Sequence, residues 1–104
     1  MRKEVRQLVS LGPLPDEQTA ELEQLKEYEQ WLYQVTSPVS DEEARALIGL
    51  FGPDDCYGLA WTLLHLVETA PGWPLQDCLE TTRGVWGEEL RRRVDNARRF
   101  GLLD

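Results

Sequence analysis

At 104 residues, with 41% apolar and 29% charged side chains, the chain suits one domain (residues 1–104) with a modest core, and its composition is far from that of a disordered segment. Nineteen acids against eleven bases leave a net charge of −8, which argues against nucleic-acid binding, because phosphate contacts need a basic face. No uncharged stretch reaches the roughly 18–20 strongly apolar residues of a membrane span, and Met1–Gly12 has too little apolar length for a signal peptide.

The expectation is therefore a cytoplasmic protein without a membrane partner. Nine arginines against two lysines fit a bacterial coding bias. Cys56 and Cys78 make no metal or redox motif and read as buried free thiols.

Helical punctuation recurs along the chain, and no alternating strand pattern or hairpin signal interrupts it. Lys3–Ser10 reads as a short helix with Val5, Leu8 and Val9 inward, stopped by Gly12-Pro13. Pro15, Asp16 and Glu17 look like the first turn of a long helix that continues to about residue 35. Its inward face is Leu22, Leu25, Tyr28, Leu32 and Val35. Ser40 to Glu43 is a capping box opening a helix over 40–51, with Ala44, Leu47, Ile48 and Phe51 inward.

Gly52-Pro53 stops that helix, and Asp54 or Asp55 is expected to cap the next, an almost wholly apolar helix over 54–70. A helix apolar on all sides must be covered on most of them, so 54–70 is expected to be the hub. Gly58 inside it reads as a site of close helix approach or of backbone access for a partner. The pair 40–51 and 54–70 has the shape of a HEAT-type helical hairpin, without a self-similar period to make an array. Pro71-Gly72-Trp73-Pro74 must be a tight loop. A short helix over 75–82 and a final helix over 85–99 follow, the latter with Trp86, Leu90, Val94 and Ala97 on one side. The tail Phe100–Asp104 either packs back as a cap or frays. The fold expected is all-α, a compact bundle of five to six antiparallel helices.

Charge is unevenly distributed. Residues 14–55 carry eleven acids against Lys26 and Arg45, a net −9, whereas 90–104 carry five arginines against two aspartates, a net +3. The arginines complement the dipole of a C-terminal helix and have acids to pair with. The acidic belt is either a solvated face or a surface that steers a basic partner.

Catalytic constellations are thin. His65, the single histidine, shares a helical face with Trp61 and Glu68, which would orient it as a general base, but no nucleophile stands beside it. Asp54, Asp55, Cys56 and His65 lack the spacing of a zinc or calcium site, and no glycine pattern cradles a phosphate. No metal or cofactor is expected. Trp31, Trp61 and Trp86 read as core. Trp73, in a rigid Pro-Gly-Trp-Pro loop, is either a plug or a binding anchor.

The sequence thus points to a non-enzymatic, acidic protein-binding domain, most concretely an immunity or antitoxin-type inhibitor of a basic partner such as a bacterial toxin. Its contact residues would be Glu23, Glu27, Glu42, Asp54, Asp55 and Trp73. An adaptor or scaffold subunit of a larger complex is the alternative, and an enzyme using His65 the third.

Overall fold

In the computed structural model, which describes residues 1–102, one apolar cluster draws side chains from six helices, and no strand is present among the described residues. The helices are α1 (Lys3–Leu11), α2 (Leu22–Gln34), α3 (Asp41–Leu47), α4 (Leu59–Val67), α5 (Gln76–Thr81) and α6 (Gly84–Arg99), with a 3₁₀ turn at Ile48–Leu50. The all-α bundle expected from periodicity is the fold observed. No helix among the described residues is long and apolar enough to cross a membrane.

The expected capping box opens α3: the Glu43 amide donates to Ser40 Oγ at 3.0 Å, and the Ser40 amide donates to Glu43 Oε1 at 2.9 Å. α1 packs on α2 and α3, and α4 packs on α2 and α3. Tyr28 of α2 is buried, and its hydroxyl lies 2.9–3.0 Å from the carbonyls of Leu11, Gly12 and Pro13, which gathers the turn after α1. Arg91 donates to the carbonyls of Leu79 and Thr82, serving the bare C-terminal end of α5. α6 ends in a Schellman motif around Gly101 (φ +74°), with the Leu102 amide on the Ala97 carbonyl and the Gly101 amide on that of Arg98. Phe100 and Leu102 stay exposed rather than packing back; the rest of the expected tail, Leu103 and Asp104, lies outside the described residues.

Three helices are shorter than their sequence pattern: the one expected over 40–51 is α-helical only over Asp41–Leu47 before the 3₁₀ turn, and two others start late. The long helix expected from residue 16 begins only at Leu22. Asp16 instead closes a local turn, accepting from the Thr19 amide through its side chain and from the Ala20 amide through its carbonyl. The Glu17 amide is taken by Asp54, 37 residues away.

The hub expected over 54–70 is likewise confined to Leu59–Val67. Neither Asp54 nor Asp55 is its N-cap: Gly58 holds that position at φ +89°, and Cys56 and Tyr57 before it are also left-handed. A Cβ on Gly58 would meet nothing within 4 Å, so backbone conformation rather than close helix approach requires the glycine. The hub is also not covered on all sides. Leu59, Ala60, Leu63, Leu64 and Val67 are buried, whereas Trp61 and His65 face solvent.

Candidate functional site

The shortened starts of α2 and α4 build one corner of the molecule together. The Leu14 amide donates to the Leu50 carbonyl at 2.9 Å, laying residues 14–20 alongside the chain that leaves the 3₁₀ turn. Gly52 permits this, because a Cβ there would collide with the Leu14 carbonyl. Asp54 then organises the crossing: its carboxylate accepts from the Glu17 amide and the Cys56 amide, both at 3.0 Å. Tyr57 closes a latch in return, its amide donating to Glu17 Oε1 at 2.9 Å and its hydroxyl to the Glu17 carbonyl at 3.0 Å.

This crossing brings the carboxylates of Glu17, Asp54 and Asp55 within 4.8 Å of one another. Glu17 sits above the ordinary glutamate range, because it shares a hydrogen bond with Asp55 and faces the charges of Asp55 and Asp54. Among the described residues none of the three has a cationic partner. Four other acids are each paired with an arginine: Glu43 with Arg2, Asp77 with Arg45, Glu89 with Arg92 and Glu68 with Arg93. Of the six oxygens of these carboxylates three already accept backbone amides, which leaves fewer than the six to eight that calcium takes, so no metal is assigned here.

Beside these acids lies a cleft of about 480 Å³, lined by Pro53, Asp54, Asp55, Trp61, Val85, Trp86 and Glu89. Its back wall is aromatic. Trp86 is buried, stacks on Phe51 at 5.3 Å and meets Trp61 in a T-shaped pair at 4.9 Å and 82°. The Trp86 indole N–H donates to the Asp54 carbonyl at 3.0 Å, joining wall and rim. Trp61 and Val85 are left 37% and 58% exposed, so the cleft is lined with apolar surface that water covers. Such a cleft can hold one long side chain with an apolar stem and a positive head.

Of the residues expected from sequence to meet a partner, the structure brings together only Asp54 and Asp55. Glu23, Glu27 and Glu42 are exposed on α2 and α3, Glu23 in a loose pair with Lys26 at 3.9 Å. Trp73 is half-buried against the core, as a plug would be. The tryptophans expected in the core divide: Trp86 is buried, Trp31 half-buried, and Trp61 at the surface.

Sequence reasoning missed Glu17, Trp61, Val85 and Glu89 as parts of one site. One signal was available: Val85 is an apolar residue off the buried face of its helix, four residues before Glu89. The general-base arrangement of His65 with Glu68 is not formed. Both Glu68 oxygens accept from Arg93, at 2.7 and 2.8 Å, and exposed His65 lines a shallow hollow with Tyr33, Ser37, Thr62 and Thr69 that has no carboxylate. Cys56 and Cys78 are free and buried, and burial pushes both thiols up, away from reactivity.

No family model, curated protein or solved structure matches this chain, so function is read from its own geometry.

Proposed function

We propose that this chain is a non-enzymatic binding domain of the bacterial cytoplasm that captures a basic partner protein, in the manner of an immunity or antitoxin-type inhibitor. The observation that carries the reading is an apolar, aromatic-walled cleft bordered by carboxylates to which the fold itself gives no cation. The exposed acids of α2 and α3 add to the protein's negative field and would speed the encounter with a positive partner.

A second reading, an adaptor subunit, draws on a hollow further along α6, where exposed Phe100 and Leu102 stand beside Arg92, Arg93 and Asn96. It has less in its favour, because that hollow is bordered by arginines whose charge Glu68 and Glu89 already balance.

The test is kinetic, on a basic protein encoded beside this chain. Neutralising Glu23, Glu27 and Glu42 to glutamine should slow association and flatten its salt dependence while leaving stability within about 0.5 kcal/mol. Trp73→Ala should lower stability and leave the affinity of the folded molecule intact. Association rates unchanged in the triple variant at low salt would remove the steering role. A basic neighbour that does not bind at all would remove the inhibitor reading.

A further inference from the structure

Resting on that reading, we infer that the cleft between the 53–55 loop, Trp61 and Val85 is the receptor for one arginine side chain of the basic partner. Three features converge on this occupant. The wall is an exposed indole flanked by an exposed valine, which suits the stem and the flat face of a guanidinium. The rim holds Asp54 and Asp55, with Glu17 behind them, and no cation of the fold neutralises these three among the described residues. Glu89 on the opposite side is already held by Arg92, so the unbalanced charge lies on one side only and sets the direction of the incoming head.

Asp54 spends its carboxylate on two backbone amides and so contributes charge more than contacts. Asp55 is exposed, and its backbone carbonyl rather than its carboxylate takes the Gly58 and Ala60 amides, which leaves the carboxylate as the direct acceptor. A guanidinium, planar and two-pronged, can stack on Trp61 while donating to Asp55; a lysine ammonium cannot do both as well. A cation seated beside Asp55 also meets the charge of Asp54 and Glu17, whose carboxylates lie within 4.8 Å of it and of one another.

Blocked pentapeptides with a central arginine, lysine or glutamine between glycines are titrated into the isotopically labelled protein at low ionic strength. The arginine peptide should shift the Trp61 and Trp86 indole N–H signals and the Val85 methyls. The lysine peptide should bind several-fold more weakly, and the glutamine peptide should have no effect. Asp55→Asn should weaken the arginine peptide about two- to fivefold, as loss of a rim charge does. Val85→Lys, at an exposed position that leaves the core untouched, should abolish binding by seating its own cation in the cleft.

Equal affinity for the lysine and arginine peptides, shifts spread along α2, or binding that ignores Val85→Lys would overturn the assignment. A basic partner that associates with salt-dependent rates but is indifferent to Val85→Lys removes the cleft and keeps the binding-domain reading. An arginine-specific cleft on a protein that no basic partner engages keeps the cleft and removes that reading.

Discussion

Among the described residues Glu43 is the one charged residue with almost no exposure, 4%, and the fold surrounds it with donors. It accepts from the Arg2 guanidinium at 3.0 and 3.1 Å, from the Arg2 amide at 3.1 Å and from the Ser40 amide at 2.9 Å. The Arg2 hydrogen bonds lead the effect that holds its pKa down to about 2, against the desolvation that would raise it. A carboxylate depressed in the folded state stabilises above its unfolded pKa, near 4.5, and that contribution drains away as pH falls from there towards 2. Glu43→Gln keeps the shape and loses the charge, so it should cost about 1.5–3 kcal/mol at neutral pH, the range for hydrogen bonds to charged groups. Urea melts of both proteins between pH 7 and pH 2 should show the gap closing below pH 4.5. A gap independent of pH would mean that packing, not charge, holds this position. The converse case is Glu17, raised in the folded state, whose ionisation at neutral pH weakens the fold rather than supporting it.

At the scale of elements, α4 shows what an apolar sequence does and does not dictate. Its buried face, with Leu63 and Leu64 at 1% and 0% exposure, is the core contact that periodicity predicts. Leu63→Ala should therefore cost about 2–5 kcal/mol. A loss under about 1 kcal/mol in a denaturant titration would remove Leu63 from the core. The start of α4 was not legible. Asp54 and Asp55 look like caps in sequence, but Asp54 is drawn off by the Glu17 amide, a partner 37 residues away that no local pattern reveals. The late start of α2 goes with the turn that Asp16 closes on the Thr19 and Ala20 amides, which ends before Leu22. Ser40 and Glu43, which find each other within four residues, were legible for the opposite reason. So it is with the site. The sequence offers Asp54 and Asp55 as acids, but their meeting with Glu17, Trp61 and Val85 depends on how three segments pack.

At the scale of the whole molecule, charge is sorted along the chain, with the acids concentrated in residues 14–55 and the arginines in the last helix. The two regions are tied by few contacts of their own: the Trp86 indole on Asp54 and the aromatic contacts of Trp86 with Phe51 and Trp61 link α6 to the acidic corner. A further long tie starts at Arg2, whose guanidinium reaches the Thr36 carbonyl at 2.7 Å as well as Glu43, 41 residues along the chain. That tie has a consequence in time rather than in energy. Closing a loop of 41 residues on an unfolded chain costs about 3 kcal/mol in entropy, so it is a poor way to begin folding. It should form after α1 and α2 have already met, on the native side of the barrier. Arg2→Ala should then leave the refolding rate nearly unchanged and speed unfolding by about the whole of its stability loss, read from the two arms of a chevron plot. Slower refolding in the variant would mean that the clasp is an early event. A clasp that closes last governs how long the folded state survives once formed, and has little say in how quickly it is reached.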